Sequence, residues 1–192
     1  MTTRLLVPTL ALLPGFRDAL ERGWSPNTMR PEPARREALE AIEQDAALFV
    51  ERQTDLLAVG GPITLPDGSK VPRVPGRHFW IWDEADFCGA IGLRWQPGTP
   101  ALPPYVLGHT GYSIVPWRRL RGHATATLRA VLAYAREIGL PYLEVTTNTG
   151  NTASQRVIAK AGGALVERFT QPASHGGQEG LRFRIDVAPS VS

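Results

Sequence analysis

Gly111-Tyr-Ser-Ile-Val-Pro-Trp-Arg-Arg-Leu-Arg-Gly-His-Ala124 decides how the rest of this chain is read. An extended run from Leu107 ends at Val115, Pro116 breaks it, and a turn dense in arginine leads to Gly122. From Gly122 to Ile138 the pattern is an amphipathic helix: Ala124, Leu128, Val131, Leu132, Ala135 and Ile138 share one stripe, and Gly139 and Pro141 stop it. The first N–H groups of a helix lack partners within it and converge on one point, which suits a phosphate or pyrophosphate. Gly122 and Ala124 keep bulk away from that point. A helix start favours acidic neighbours, yet Arg118, Arg119 and Arg121 crowd this one. An anion seated there accounts for them; a solvated basic turn is the alternative. Neither the G-x-x-x-x-G-K-[ST] loop nor the G-x-G-x-x-G fingerprint occurs.

Downstream, the patterns predict a strand over Tyr142–Thr147, a helix over Asn151–Ala161, and strands over Ala164–Thr170 and Leu181–Val187. Upstream, Arg4–Val7 reads as a strand and Leu13–Gly23 as a helix. One longer helix is expected from Ala34 to Leu56, its face carrying Leu39, Ile42, Ala46, Phe49 and Val50. Gly60–Gly76 is a long loop carrying a small hairpin at Pro66-Asp67-Gly68-Ser69. His78–Asp83 and Phe87–Gln96 are strands, and Pro97–Pro104 is a proline-rich loop. Strands grouped in a meander and then alternating with helices imply an α/β (α+β) layer with a mixed sheet.

The chain has 192 residues, 21.0 kDa, 43% of them hydrophobic, with a mean hydropathy of −0.15. That is the size of one domain over residues 1–192, and it excludes a wholly disordered chain. Residues 1–76 hold the N-terminal helices and loop, and residues 77–187 the sheet. No apolar run reaches the ~18–20 residues of a membrane span. Leu5–Leu13 is punctuated by Pro8 and Pro14 without a cleavage site, so no signal peptide is read and a cytoplasmic location is expected. The one cysteine, Cys88, excludes an internal disulfide and a multi-cysteine metal site. The net charge of +3 shows no clustered basic face beyond the turn above, so no nucleic-acid partner and no membrane partner are expected.

Arg119-Leu-Arg-Gly-His-Ala124 fits the pattern R/Q-x-x-G-x-G/A and resembles the acyl-CoA pyrophosphate motif of the GNAT N-acetyltransferases. Asn151-Thr-Ala-Ser154, followed by Lys160-Ala-Gly-Gly163, resembles the second CoA segment of that family. Gly108–Ile114 and Leu181–Ile185 are similar to a bacterial branch of predicted acetyltransferases, and the resemblance covers Phe87–Val187. It implies a central mixed sheet with a splayed pair of parallel strands, ending near Val115 and Thr147, flanked by helices. Acetyl-CoA is implied as co-substrate, with no metal. Main-chain groups of Ile114 and Val115 would hold its pantetheine arm. Arg119, Leu120, Arg121, Gly122, His123 and Ala124 would hold its pyrophosphate, with Asn151 and Ser154 assisting. The acceptor implied is a primary amine of a small molecule or of a peptide or protein, selected by Trp24–Pro33, Gly60–Gly76 and Pro97–Tyr105. A homodimer is common for the fold. An acyl-CoA-binding sensor or interaction module with weak catalysis is the alternative function.

The chemistry implied is direct attack of an amine on a thioester, for which the amine must lose a proton. Glu144, mid-strand between apolar neighbours, is the first expectation for the base, since partial burial raises a carboxyl pKa. The same Leu-Glu-Val pattern occurs in ribosomal-protein alanine acetyltransferases, with a shorter gap to the asparagine than the one from Glu144 to Asn151. A strand carboxylate paired with an arginine is the other reading of Glu144. His109 is a second candidate base, or a hydrogen-bonded histidine at a strand start. Tyr112 is a proton donor or a packing residue. Many relatives carry an acidic tyrosine seven residues after the asparagine, where this chain has Ile158. Cys88 reads as buried and inert rather than as an acyl carrier. Asp83, Glu84 and Asp86 read as a solvated acidic turn. Trp80, Trp82 and Trp95 line an acceptor pocket or the core.

Overall fold

A computed structural model describes residues 2–187. In chain order these give β1 (Arg4–Leu6), α1 (Leu13–Glu21), α2 (Pro31–Gln44), α3 (Ala46–Glu51), β2 (Thr54–Asp55), β3 (Ile63–Thr64), β4 (Lys70–Val71) and β5 (Gly76–Trp82). There follow β6 (Phe87–Arg94), β7 (Thr110–Ile114), α4 (His123–Glu137), β8 (Tyr142–Asn148), α5 (Thr152–Lys160), β9 (Ala164–Thr170) and β10 (Glu179–Asp186). The class is the α/β layer expected from the sequence. The long helix expected from Ala34 to Leu56 is instead two. Asp45 adopts an extended conformation, φ −158°, and its side chain accepts the N–H of Leu48 at 2.9 Å, so it caps α3 rather than continuing α2. Strand pairing of β2 with the start of β5 had no signal in its two residues.

Antiparallel pairing runs β1-β5-β6-β7 in one sheet and β8-β10-β9 in a second, and no ladder joins β7 to β8 among the described residues. The two meet at their starts alone: the N–H of His109 donates to the carbonyl of Glu144 at 2.8 Å. Gly108 permits that approach, since a Cβ there would lie 2.8 Å from the same carbonyl oxygen. Beyond this point the strands part, and the edge of β7 that faces β8 is left open over Tyr112–Ile114.

Alternation along β5 and β6 divides the core into two layers. Phe79, Ile81, Ile91 and Leu93 face α4 and α5, where Leu128, Val131, Ala135 and Ile158 are fully buried. Burying a leucine such as Leu128 contributes roughly 1.5–3 kcal/mol. Trp80, Phe87 and Ala90 face α1, whose Phe16 stacks on Trp80 with ring centroids 4.7 Å apart. Trp80 is therefore core and lines no pocket. No described helix is long and apolar enough to cross a membrane.

Candidate active site

Where β7 ends, Pro116–Arg118 makes a short 3-10 turn and Gly122 caps α4 without any side-chain hydrogen bond. Leu120 has φ +62° and Gly122 φ +85°, so left-handed residues alternate with others through the turn. Leucine tolerates that region poorly, and such a residue is held there by its surroundings or by function. Alternation of this kind turns successive N–H groups toward one concavity, a nest for an anion. No acceptor among the described residues meets the backbone N–H of Leu120, Arg121, Gly122, His123, Ala124 or Thr125. The Leu120 side chain stands wholly in solvent, leaving the concavity clear.

The arginines of this turn divide. Arg118 turns inward and pairs with Asp83 at 3.1 Å and with Asp86, so it neutralises the acidic turn between β5 and β6. Asp83 is thus a buried partner, 5% exposed, and not the solvated residue expected. Arg119 donates from Nε to the carbonyl of Ile114 at 3.2 Å, fastening the turn to β7. Arg121 is exposed and makes no ion pair among the described residues. The opposite charges at 83, 86 and 118 were visible in the sequence; their juxtaposition across 32 to 35 positions was not.

The His123 side chain lies inside the protein. It is 2% exposed, its Nδ1 meets the Thr3 hydroxyl at 3.0 Å, and it packs behind the turn beside Asp83 and Cys88, whose donor atoms and its own lie within 4.8 Å of one another. Only its backbone N–H faces the nest. Burial, with the Asp83 carboxylate second, pushes the Cys88 thiol up to about 11. A fully buried, protonated thiol is inert, as expected of Cys88.

Asn151 caps α5: its Oδ1 accepts the N–H of Ser154 at 3.0 Å, which orients the helix start beside the opening between β7 and β8. The hydroxyls of Ser154 and Tyr112 are 2.8 Å apart across that opening. Burial raises the Tyr112 pKa above its ordinary value, against the opposing hydrogen bond from Ser154. Ile158, in the position expected for a tyrosine, is fully buried in the core and faces away from the site.

Glu144 and His109 hold the apex of the opening. Glu144 does not have the apolar surroundings expected for a base: Arg182 donates to its Oε2 at 2.8 Å and Arg184 to its Oε1 at 3.0 Å. Its carboxylate fastens β10 to β8. His109 is 1% exposed, its Nδ1 accepts the N–H of Glu144 at 3.0 Å, and its Nε2 meets the Pro100 carbonyl at 3.0 Å. Nδ1 therefore holds the lone pair and Nε2 the proton, and no lone pair faces a substrate. Desolvation lowers its pKa as well. These contacts tie both side chains to neighbouring segments.

The chain was compared with known proteins. No curated protein matches it in sequence. Among solved structures, the ribosomal L7/L12 alpha-N-protein acetyltransferase RimL in complex with coenzyme A is similar in fold, with a TM-score of 0.62 at 12% identity over 97% of this chain and 95% of that one. An acetyltransferase from Salmonella typhimurium that modifies the N-terminal serine of L7/L12 gives 0.61 at 12% identity, over 98% and 96%. The Microcin C7 self immunity acetyltransferase MccE, in complex with acetyl-CoA and AMP, gives 0.55 at 9% identity, over 96% and 92%. These likenesses are of fold. The family model of the acetyltransferase (GNAT) domain matches residues 25–164. A split sheet, an unpartnered N–H nest at a helix start and this match converge: the chain belongs to the GNAT family and is an acetyl-CoA-dependent acetyltransferase.

Proposed function

We propose that the enzyme transfers the acetyl group directly from acetyl-CoA to a primary amine, with the thioester held in the opening between β7 and β8. The observation that carries this reading is the run of N–H groups over Leu120–Thr125, none with an acceptor among the described residues, at the wide end of that opening. The backbone of Arg119, Leu120, Arg121, Gly122, His123 and Ala124 would cradle the pyrophosphate, with the Arg121 guanidinium beside it. The open edge of Ile114 and Val115 would receive the pantetheine arm as an added strand, and the Asn151 amide would reach it from α5. The N-terminal helices cover the opposite face of the sheet and would form the acceptor side.

In the transfer itself the amine nitrogen bonds to the acetyl carbon, the C–S bond breaks, and sulfur leaves as a thiolate. We assign the acid to the Tyr112–Ser154 pair. The Ser154 hydroxyl would give one proton to the sulfur and take one from Tyr112, and the Tyr112 phenolate would recover its proton from water. This supplies the function that the tyrosine missing at Ile158 would have served, and it favours catalysis over a sensor. The proton of the attacking amine goes to water. The test is release of CoA thiol with a panel of small amines and peptide N-termini. Acetyl-CoA binding without acetylation of any member would leave the sensor reading standing and overturn this one.

A further inference from the structure

On the face of the first sheet turned toward α1, a cross-strand row of His78, Gly92 and Gly111 runs over β5, β6 and β7. These two neighbouring glycines leave a trough to which they contribute no side chain, and Gly111, on β7 at the edge of this sheet, is solvent-exposed. Two side chains fill the border of this trough. The His78 ring passes within 3.0 Å of the point a Gly92 Cβ would occupy, and Nη2 of Arg94 lies 3.7 Å from that point and 3.6 Å from the Gly111 equivalent.

Arg94, like Arg121, differs from most of the arginines of this chain. Most of them reach a carboxylate or a carbonyl, whereas its guanidinium makes no ion pair or hydrogen bond among the described residues. Desolvation lowers its pKa, and no acid among the described residues offsets this. His78 keeps contact with solvent, and desolvation first and then the Arg94 charge lower its imidazole below the ordinary value. The nearest other cation, Arg73, is already matched by Asp55 at 3.6 Å. A half-buried guanidinium with no protein partner among the described residues keeps its N–H groups available to an anion.

The cofactor does not supply that anion. β6 and β7 are antiparallel, so Arg94 sits beside the start of β7 while the N–H nest follows its end. Five residues of strand, roughly 17 Å at 3.4 Å per residue, separate Gly111 from Pro116. Gly111 is two positions from Ser113, which accepts the indole N–H of Trp24 at 2.8 Å and donates to the Ser25 carbonyl at 2.9 Å. The trough thus opens beside the loop between α1 and α2, on the acceptor side.

We propose that the acceptor amine carries a carboxylate or phosphate, and that this anion is bound in the trough by the Arg94 guanidinium with the His78 ring N–H as second donor. The proposal rests on the acetyl-transfer reading above and names the substrate class for it. A planar guanidinium binds either anion through two parallel N–H bonds, so the chemistry is shared.

The experiment compares matched acceptors: amino acids against their amides, peptides with acidic against amidated second residues, and phosphomonoesters against their alcohols. Wild-type kcat/KM is expected to favour one anionic class at least tenfold, and the class identifies the anion. Arg94→Gln should collapse that ratio toward one, and Arg94→Lys should retain part of it. Gly111→Asp, which sets a carboxylate against Arg94 at ordinary contact distance, should also abolish the preference. Equal use of neutral partners by the wild type, or a ratio that survives both Arg94→Gln and Gly111→Asp, would overturn the proposal. If no amine is acetylated, the transfer reading fails and sulfate decides the trough separately. In a Gly122→Glu background, with the nest blocked, sulfate should raise the melting temperature more than chloride at equal ionic strength. Adding Arg94→Gln should remove that excess, and its persistence refutes the site.

Discussion

Tyr112 and Ser154 are separated by 42 positions and meet at 2.8 Å where the two sheets part. This tyrosine, hydrogen-bonded to a serine at a helix start, is the proposed proton source. Tyr112→Phe is expected to lower kcat by about tenfold or more, within the range of general acid catalysis, while the acetyl-CoA dissociation constant holds within a factor of a few. Stopped-flow and steady-state kinetics check this, and a wild-type kcat would remove Tyr112 from the chemistry. His78 gives a pH prediction. Its folded pKa, about 4, lies below the ordinary 6.5, so the unfolded chain binds the extra proton between those values. Its contribution to stability is complete above pH 6.5 and is lost as pH falls toward 4. Thermal melts across that window should show a shallower acid loss for His78→Gln than for the wild type; parallel curves would contradict the assignment. At this scale the sequence was informative where residues act locally. Asn151 and Ser154, three apart, are both a recognisable motif and an N-cap. It was silent on Arg118 with Asp83, on the arginines around Glu144, and on the empty surroundings of Arg94, because each depends on what a distant strand brings alongside.

At the scale of elements, the turn into α4 and the seam between β7 and β8 are the two devices that make the site. Gly122 adopts φ +85°, where another residue is strained, and it opens the nest. Gly122→Glu adds that strain and a negative charge, and calorimetric titration should find acetyl-CoA binding reduced at least a hundredfold; wild-type affinity would displace the pyrophosphate from this turn. On the neighbouring strand, Gly89 has φ +150° and lies where a Cβ would stand 2.2 Å from the Ser113 carbonyl oxygen. It bends β6 against the part of β7 that borders the opening. The seam is braced by Glu144 with Arg182 and Arg184. Glu144→Gln should cost roughly 1–3 kcal/mol of stability by weakening a partly buried charge cluster. It should leave the pH profile of kcat/KM in place, and a displaced profile would restore Glu144 as base. Periodicity made the main elements legible, since the 3.6-residue stripe of α4 and the alternation of β5 are local patterns. The break at Asp45 was hidden because the apolar spacing continues across it, and the separation of β7 from β8 is an absence of pairing that no residue type announces.

The whole molecule is a sheet opened along one seam, covered by α4 and α5 on one face and by α1 on the other. The proposed cofactor nest lies at one end of β7 and the Arg94 trough at the other, so in this reading the two substrates would approach the seam from opposite ends with their reacting groups meeting between. Holding both reactants in one cleft supplies much of the rate in such a transfer. Everything in this arrangement depends on acyl-CoA entering the seam by the N–H nest. Thermal unfolding with acetyl-CoA, with CoA and with adenosine tests that directly. At ~100 times its dissociation constant a ligand of the folded state stabilises it by ~2.7 kcal/mol, several degrees for a chain of this size. Both CoA species should produce that rise and adenosine should not; an unmoved transition at millimolar acetyl-CoA would contradict the account.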